Sequence, residues 1–386
     1  MKSKLRRRRV CFVTGTRAEF GLMQPVLRAV ADDRRLQLQI VVTGMHLDRG
    51  RGYSAKQVLQ SGWKPHAVVP WRRGESAVDR AEATGLATAK LARVFERLAS
   101  DIVLVTGDRV EALAAATAGH LCDRVVAHVH GGDRALGQAD DSMRHAITKL
   151  SHLHFPATRA SAARIAKLGE DAWRIHRVGS PGIDGIQSAA AGVYTIAERF
   201  PQLKRHRFAL FCLHPTEANA EAEAHRTSVA VRATLGSGVS HVLALLPNND
   251  PGSSGIARVL RETDSRRVTL LDNLPREHFL GLLRDAAVLV GNSSSGIIEA
   301  GSFGTPVINI GPRQAGRERG KNVTDVPFIA KDVERAIASV WSDGQPRRFR
   351  SENIYGIRGE STAARVVRVL ATQSIDLRLL RKLIHY

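Results

Sequence analysis

The sequence predicts an α/β protein built from two Rossmann-type domains, each a doubly wound parallel sheet. Short apolar runs rich in β-prone residues alternate along the chain with segments whose apolar residues recur at helical spacing. With 386 residues, 43% of them hydrophobic, the chain exceeds what a single core usually serves. A turn-prone stretch of small residues around positions 180–190 separates two such series and suits a domain boundary.

The predicted elements follow one another in order in each series. The strands of the first series are Val10–Val13, Leu38–Thr43, Ile102–Thr106, Val125–His130 and His152–Pro156. Its helices are Leu22–Val30, Ala81–Ala99, Glu111–His120, Arg144–Lys149 and Ala160–Leu168. The strands of the second series are Phe208–Leu213, His241–Leu246, Val268–Leu271, Ala287–Val290 and Pro306–Ile310. We place the first domain at residues 1–187 and the second at 188–360, with a ligand cleft between them at the carboxyl ends of the strands.

The charge balance is strongly basic: 57 Lys and Arg face 37 Asp and Glu, for a net charge of +20. Such a charge can attract nucleic acid or a membrane surface. The arginines, however, are scattered along amphipathic helices, and aromatic residues make up only 5% of the chain. We therefore predict a solvated Arg-rich surface with no nucleic-acid or membrane partner, which is equally compatible with an anionic small-molecule substrate.

Targeting and redox signals are weak. No apolar run is long enough to span a bilayer, and the run after the basic residues MKSKLRRRR is too short for the core of a signal peptide. The three cysteines are widely and unequally spaced, which suggests neither a disulfide framework nor a zinc site. The sequence thus predicts a cytoplasmic protein.

Polar clusters follow almost every predicted strand, and the most explicit of them is GNSSSGIIE in the second series. It delivers serines to a predicted helix start, where hydroxyls, free backbone N–H groups and the positive helix end favour phosphate. Glu299 is expected about two turns into that helix, within reach of sugar hydroxyls. A simple Ser/Asn helix cap is the equally weighted alternative. The residues that can contact a nucleotide here are Ser293, Ser294, Ser295, Gly296 and Glu299.

Other clusters carry charged residues that can bind or transform an anion. In GTRAEFG, Arg17 can pair a phosphate and Glu19 can act as acid, base or hydroxyl partner, with a surface Arg–Glu pair as the alternative. Asp108 and Arg109 follow another predicted strand, and an N-cap role for Asp108 is the alternative there. His214 also ends a strand and can bind phosphate or shuttle a proton, or merely cap a loop.

HVHGGD places His128 and His130 on one face of a strand, with Asp133 beyond a Gly-Gly pair that lets a ligand approach the backbone. Acid/base chemistry and a hydrogen-bonded structural role are about equally compatible with these histidines, whereas a metal site lacks a third ligand. Asp140 and Arg144 place a carboxylate at a helix start and an arginine one turn on, where an N-cap with a local ion pair is the alternative.

Taken together, these motifs resemble the UDP-N-acetylglucosamine 2-epimerase family. The matching pieces occur in order over most of residues 10–325: VTGTRAEFGL, VTGMH, VTGDRVEALAAA, HVHGGD, DDSMRHAITKLSHLHFPAT, RVGSPGID, HPT and GNSSSGIIEAGSFGTPVINIGPRQAGRERGKNV. The resemblance is strongest to the hydrolysing branch, which makes N-acetylmannosamine or a diacetylated 6-deoxy relative for sialic-acid-type sugars. It implies a GT-B-like fold, a UDP-sugar substrate, no cofactor, no metal, a homo-oligomer (dimer or tetramer), and a helix within residues 361–386 that crosses back to the first domain.

Carried over position by position, the resemblance implies two groups of functional residues. The UDP contacts are Arg17, Ser293, Ser294, Glu299 and Arg313, with His214 near the phosphates. The sugar-side and catalytic group is Glu19, His46, Asp108, Asp133, Asp140 and Arg144. We add Arg109, Ser295 and Gly296 as substrate contacts and His130 as a catalytic candidate.

The implied reaction begins when a base removes the C2 proton while the anomeric C–O bond to UDP breaks, which gives a 2-acetamidoglucal. Water then adds with the opposite C2 configuration and releases a free sugar. Two positions depart from the family pattern, because many members carry Glu where this chain has His130 and Glu where it has Asp133. Either His130 takes over the proton transfer or it falls to Asp133, Asp108 or Asp140. Both departures are compatible with a different substrate, such as a 6-deoxy-4-acetamido sugar.

Three other functions stay open at the level of sequence. A non-hydrolysing epimerase would re-add UDP, and the DDSMRHAITKLSH run argues against it. A GT-B glycosyltransferase would need an acceptor, and its first-domain polar clusters would then have to bind that acceptor. A nucleotide-sugar or polyanion binder without turnover fits the charge, but the density of acidic and His residues at strand ends argues against it.

Overall fold

The computed structural model describes residues 6–47, 53–71, 76–134, 140–247, 250–263, 266–272, 274–342 and 344–383. These residues divide into two compact units. The first contains residues 6–134, 140–184 and 355–383, and the second contains residues 185–354. Each unit is built on a six-stranded parallel sheet with helices in the connections, which confirms the predicted fold class.

The sheet of the first unit has the strand order β3-β2-β1-β4-β5-β6, and every neighbouring pair is parallel. Its strands are β1 Arg8–Thr14, β2 Leu36–Val42, β3 Ala67–Val68, β4 Ile102–Thr106, β5 Val125–Val129 and β6 Leu153–Phe155. The helices between them are α1 Arg17–Asp32, α2 Ala55–Gln60, α3 Ala77–Arg97, α4 Val110–Leu121, α5 Asp140–Leu150 and α6 Arg159–Lys167.

Both faces of this sheet are buried, so its strands are apolar on both sides. Successive residues of a strand point to opposite faces. Phe12 accordingly packs in the cluster that contains Met23 of α1, whereas Cys11 packs in the cluster that contains Leu91 of α3 and Ala114 of α4. The near-continuous apolar runs of the sequence follow from this double cover, which is typical of parallel sheets.

The second unit repeats the architecture with the strand order β12-β11-β10-β7-β8-β9. Its strands are β7 Phe208–Cys212, β8 His241–Leu245, β9 Val268–Leu271, β10 Val288–Gly291, β11 Val307–Ile310 and β12 Val323–Val326, followed by the hairpin β13 Trp341–Ser342 and β14 Gln345–Pro346. Its helices are α7 Ile186–Ala189, α8 Val193–Arg199, α9 Ala220–Gly236, α10 Ser253–Glu262, α11 Arg276–Asp285, α12 Ser294–Ile298 and α13 Ala330–Ala338.

The chain ends in the first unit with α14 Thr362–Thr372 and α15 Leu377–Leu380. Helix α14 packs on α1, and its residue Val366 is buried in the same cluster as Met23. The guanidinium of Arg8 donates to the carbonyls of Leu370 and Gln373 at 2.9 and 2.6 Å. These bonds satisfy carbonyls that the end of α14 leaves open.

Some predicted boundaries were wrong for identifiable reasons. Helix α1 begins at Arg17 rather than Leu22, because Thr16 and Glu19 form a capping box in front of it. Strand β5 ends at Val129 because His130 adopts a left-handed backbone with φ of +62°. Strands β3 and β12 were not predicted, since β3 has two residues and β12 carries polar, exposed positions. In the described part of the chain, no helix is both long enough and apolar enough to cross a membrane.

Candidate active site

Four neighbouring strands of the first unit carry most of the predicted catalytic residues at their carboxyl ends. The strands β2, β1, β4 and β5 lie side by side in the sheet. They are followed by His46, Glu19, Asp108 and His130 respectively, and Asp133 lies just beyond His130. The sheet order thus brings together residues from widely separated motifs, as expected for the ligand-binding edge of a parallel sheet.

His130 is held at both ring nitrogens. Its Nδ1 lies 2.9 Å from Oδ2 of Asp133, and its Nε2 lies 3.0 Å from Oγ of Ser180. The other carboxylate oxygen of Asp133 accepts a hydrogen bond of 2.8 Å from the hydroxyl of Ser161. A carboxylate bonded to one ring nitrogen fixes the orientation of the imidazole. Sequence reasoning missed both serines: Ser161 lies outside the quoted motifs, and Ser180 lies in RVGSPGID but was not singled out.

Arg144 joins this pair to Asp108. The guanidinium is only 2% exposed, donates from Nη2 to Oδ2 of Asp108, and has Nη1 at 3.8 Å from Oδ2 of Asp133. A buried arginine between two carboxylates offsets their negative charge and fixes their positions. Asp108 does not cap α4, because Arg109 occupies the N-cap position, so the capping alternative was wrong. Asp140 is the first residue of α5, but its side chain lies outside the described residues.

The two histidines of HVHGGD do not share a strand face as the sequence predicted. The left-handed backbone of His130 ends the extended run one residue early. His128 instead donates from Nε2 to the carbonyl oxygen of Gly107 at 2.7 Å, and its Nδ1 lies 3.3 Å from the hydroxyl of Thr148. Burial lowers the pKa of His128 to about 3, so its ring is neutral and structural.

Glu19 lies in the first turn of α1 rather than in a loop. Its Oε2 accepts hydrogen bonds from the backbone N–H groups of Gly15 and Thr16, at 3.0 and 3.1 Å. The motif T-x-x-E in GTRAEFG is the signature of this capping box and would have found the helix start. Burial, followed by the nearby Glu111 carboxylate, raises the pKa of Glu19 to about 7.

Glu111 is a site residue that sequence reasoning missed, although it lies in the TGDRVEAL motif. Its side chain is 3% exposed and packs against two glycines. A methyl group on Gly15 would lie 2.7 Å from Cγ of Glu111, and one on Gly44 would lie 2.3 Å from Oε1. Only glycine therefore fits at either position. Oε2 of Glu111 lies 3.4 Å from Nε of Arg109, whose Nη2 also reaches Sδ of Met45 at 3.1 Å.

His46 and Arg17 complete the first-unit residues that the sequence singled out. His46 is fully buried, with Nε2 at 3.0 Å from the hydroxyl of Thr14 and Nδ1 at 2.9 Å from that of Ser54. Burial lowers its pKa to about 4, so His46 is a neutral hydrogen-bonding group. Arg17 is exposed, and within the described chain its guanidinium pairs with no carboxylate. An exposed cation of this kind is available to an anionic ligand.

In the second unit, Asn292 links the ends of β10 and β7. Its side-chain oxygen accepts from the N–H of His214 at 2.7 Å, and its amide donates to the carbonyl of His214 at 2.8 Å. The preceding Gly291 has φ of +140° and approaches Cys212 so closely that a methyl group would lie 2.0 Å from its carbonyl oxygen. The GNSSSG motif therefore requires glycine for this contact between strand ends.

Two side chains that follow β11 bind the same backbone carbonyl, that of Asn292. Nη1 of Arg313 donates to the carbonyl of Asn292 at 3.1 Å, and Nε2 of Gln314 donates to it at 2.9 Å. His214, the third predicted nucleotide contact in this region, has its pKa lowered to about 3 by burial and then by Arg313. Within the described residues, its Nδ1 is buried without a hydrogen-bond partner. A neutral imidazole beside an arginine can donate to an anionic oxygen.

The serine run forms the start of α12. Ser293 is the N-cap, and its hydroxyl accepts from the N–H of Ser295 at 3.4 Å; Ser294 and Gly296 lie in the first turn. The placement of Glu299 two turns into the helix was wrong, because α12 ends at Ile298 and Glu299 follows as its C-cap. The carboxylate of Glu299 pairs with Nη2 of Arg276 at 2.7 Å.

Across the described ranges, no group of three or more His, Cys, Asp and Glu side chains is arranged to hold a metal ion. Three more polar residues that follow strands, Asp48, Asn248 and Asn249, lie outside the described residues.

Comparisons with known proteins agree on one family. A profile of the UDP-N-acetylglucosamine 2-epimerase family matches residues 28–371. A Legionella pneumophila protein named UDP-N,N'-diacetylbacillosamine 2-epimerase (hydrolyzing) is 34% identical over 378 residues, which cover 97% of this chain and 98% of the relative. A Neisseria meningitidis UDP-N-acetylglucosamine 2-epimerase is 32% identical over 338 residues, or 88% of this chain and 89% of the relative.

Solved structures share the fold. The UDP-GlcNAc 2-epimerase from N. meningitidis, bound to UDP-GlcNAc, superimposes with a TM-score of 0.79 at 18% identity and covers 94% of this chain and 99% of its own. A Staphylococcus aureus MnaA–UDP co-structure has a TM-score of 0.78 at 19% identity and covers 98% and 100%. These likenesses concern the fold, which is the GT-B-like class expected from the sequence. Because the family profile and both relatives match most of its length, the chain belongs to the UDP-N-acetylglucosamine 2-epimerase family.

Proposed function

We propose that this protein is a hydrolysing 2-epimerase that converts a UDP-linked 2-acetamido sugar and water into UDP and the free C2-epimeric sugar. The observation that carries the proposal is the chain of charged residues from Asp108 through Arg144 and Asp133 to His130. It places two carboxylates and an imidazole, the usual groups of proton transfer, at one sheet edge. The L. pneumophila relative, which carries the word hydrolyzing in its name, supports the hydrolytic outcome.

The second unit supplies the contacts for UDP in this proposal. Arg313 offers a guanidinium, and the start of α12 offers the hydroxyls of Ser294 and Ser295. His214 offers the unpartnered Nδ1. Arg17, which the resemblance implies as a further UDP contact, is an exposed cation of the first unit. Such groups stabilise the charge that develops on UDP as it leaves, which lowers the barrier to C–O cleavage.

The first unit supplies the proton-transfer groups. Asp108 is the most accessible member of the network, at 22% exposure of its side chain against 5% for Asp133 and 6% for His130. We assign Asp108 as the base that removes the C2 proton, because Arg144 holds its carboxylate in place and solvent still reaches it. His130, oriented by Asp133, takes up and returns protons during the addition of water.

The reaction balances in two steps. In the first, the C2–H bond breaks with its proton taken by the base, its electrons form the C1–C2 double bond, and the C1–O electron pair leaves with UDP. In the second, a water oxygen adds to C1, one of its protons goes to the protein, and a proton adds to C2 on the opposite face. The protein has then taken two protons and returned one, and the remaining proton leaves to UDP or to solvent, which restores the starting protonation state. The products are UDP and the free epimer.

A diacetylated 6-deoxy sugar is the substrate we favour. The L. pneumophila relative, whose name specifies UDP-N,N'-diacetylbacillosamine, matches over nearly the full length of both chains. The pairing of His130 with Asp133, in place of two glutamates, supports a sugar that differs from N-acetylglucosamine. UDP-N-acetylglucosamine, with N-acetylmannosamine as product, is the second candidate, supported by the N. meningitidis relative at 32% identity.

The test offers both UDP-sugars to the purified protein in separate reactions followed by ¹H and ³¹P NMR. We expect UDP and a free 2-epimerised sugar to accumulate in equal amounts, faster from the diacetamido substrate. A UDP-linked epimer without free sugar would instead establish a non-hydrolysing epimerase. UDP release that requires an added acceptor would establish a glycosyltransferase. Tight UDP binding without turnover of either sugar would instead establish a nucleotide-sugar binding protein without catalytic activity.

A further inference from the structure

Two buried carboxyl groups, those of Glu19 and Glu111, meet at Gly15 in the first unit. Oε2 of Glu19 accepts a hydrogen bond from the N–H of Gly15 at 3.0 Å. A methyl group built on Gly15 would lie 2.7 Å from Cγ and 2.8 Å from Cδ of Glu111. The absence of a side chain at Gly15 therefore lets the two carboxyl groups approach within one small volume.

The positive charge around this pair is less than the pair's full negative charge. Arg109 faces it from the start of α4, with Nε at 3.4 Å from Oε2 of Glu111. The backbone N–H of His46 donates to the carbonyl of Gly15. The ring of His46 is neutral because burial lowers its pKa to about 4. Arg17, on the same helix as Glu19, is exposed and pairs with no carboxylate within the described chain. Thus one nearby guanidinium serves two carboxylates.

The carboxylate oxygens also lack hydrogen-bond donors. Among the described residues, Oε1 of Glu19 and Oε2 of Glu111 are buried without a hydrogen-bond partner. Two like charges in one buried site with incomplete compensation do not both ionise at neutral pH, and one of them retains a proton. The amides of Gly15 and Thr16 bind one oxygen of Glu19 and leave the other, Oε1, as the place for that proton.

We propose that Glu111 acts as the charge partner that keeps Glu19 protonated near neutral pH, which gives the carboxyl end of the first unit's sheet a proton-donating carboxyl group. Glu111 acts through Glu19 and is a positioning residue. The use of this proton in turnover rests on the proposed epimerase function, whereas the protonation itself does not. The pKa of Glu19, raised to about 7 by burial and by Glu111, agrees with the geometry. Asp108, by contrast, has a guanidinium partner in Arg144, which Glu19 lacks among the described residues.

The direct test is infrared spectroscopy of the protonated carboxyl stretch between pH 5 and 9, on the whole chain without substrate. The difference between the wild type and Glu19→Gln assigns the band to Glu19. In Glu111→Gln, we expect the pH at which this band disappears to fall by about one unit or more. Glu111→Asp, which keeps the charge, should restore most of the shift. Glu96→Gln, at a side chain that is 77% exposed, is the control and should leave the band unchanged.

An unmoved band in Glu111→Gln, or no Glu19 band in the wild type at pH 6, would overturn the proposal. If Glu111→Gln does not fold, the wild-type band and its response in Glu111→Asp decide the question. When kcat is measured as a function of pH, the decline on the basic side should occur at lower pH in Glu111→Gln than in the wild type, with KM unchanged. Wild-type protein that shows the band but turns over no UDP-sugar would refute the epimerase function alone, whereas turnover with no band would refute this inference alone.

Discussion

The sheet edges of the two units differ in the chemistry that they present. At the edge of the first unit, buried side chains of opposite charge bind one another, as in the contacts of Arg144 with Asp108 and Asp133. At the edge of the second, side chains bind backbone, since Asn292, Arg313 and Gln314 all hold main-chain groups of the strand ends. In the proposed function, the first edge moves protons and the second fixes a rigid backbone surface for an anion.

The difference also extends to how each edge responds to pH. In the first unit, burial raises the pKa of Glu19 toward neutrality, so a group there changes charge in the working range. In the second, burial and Arg313 lower the pKa of His214 to about 3, so its ring keeps one charge state throughout that range. Substitutions at the first edge should therefore change kcat, whereas substitutions at the second edge should change the affinity for UDP.

The largest effect should come from Asp108→Asn, which removes the proposed base. We expect kcat to fall by about 10²- to 10⁴-fold, the usual contribution of a positioned general base, while the Kd for UDP stays the same. Steady-state kinetics and calorimetry measure the two quantities. Asp101→Asn is the matched control, because Asp101 lies at the opposite end of β4 and binds the N–H of Arg9. An unchanged kcat in Asp108→Asn would remove this residue from the mechanism.

Gly291→Ala should unfold or strongly destabilise the second unit. A methyl group there would lie 2.0 Å from the carbonyl oxygen of Cys212, on a backbone with φ of +140°. We expect a loss of about 2–5 kcal/mol in the free energy of unfolding from strain and overpacking. Gly21→Ala, in the interior of α1 with nothing within 4 Å, should instead stabilise the protein by about 0.5–1 kcal/mol. Equal thermal melting of Gly291→Ala and wild type would show that this backbone contact is not rigid.

Arg313→Ala should weaken UDP binding rather than chemistry. Loss of a charge-assisted contact with phosphate typically costs a factor of about 10–100 in affinity. We expect KM for the UDP-sugar and Kd for UDP to rise together by this factor, with kcat changed far less than in Asp108→Asn. Arg335→Ala is the control, since that side chain is 79% exposed on α13. A fall in kcat with unchanged UDP affinity would reverse the roles assigned to the two edges.

Glu19→Gln should change how stability depends on pH. The pKa of Glu19 is raised from 4.5 to about 7 in the folded chain, so the folded state holds a proton that the unfolded state has lost between these values. Wild-type stability therefore falls as pH rises through this window, and the neutral glutamine removes that loss. At pH 8 we expect Glu19→Gln to be more stable than the wild type by about 1–3 kcal/mol, with little difference at pH 4. Denaturant titrations at both pH values measure this, and a constant difference would contradict it.

The sequence predicted the strands well because parallel sheets covered on both faces require continuous apolar runs. It placed β4 and β9 at the bounds that the structure has. Local backbone geometry was harder to predict. The left-handed turn at His130 and the early start of α1 depend on hydrogen bonds to Asp133 and Thr16 that an apolar pattern does not record.

The site was predicted in part for the same reason. Motifs identified Asp108, His130, Asp133 and Arg144, which the fold then joins in one network. Ser180 and Ser161 escaped notice because their role arises from contacts across 50 and 28 positions of sequence. The sequence motif containing Glu111 was noted, but only the packing against Gly15 and Gly44 reveals why a carboxylate there matters.

In the proposed mechanism, the first unit removes and returns a proton at C2 while UDP departs. The most direct measurement is turnover of the preferred UDP-sugar in D₂O, with the released sugar analysed by ¹H NMR and mass spectrometry. Elimination followed by hydration predicts free epimerised sugar with one deuterium at C2 in every molecule. Free sugar that keeps its original C2 proton would contradict elimination and hydration, and with it the roles proposed for Asp108 and His130.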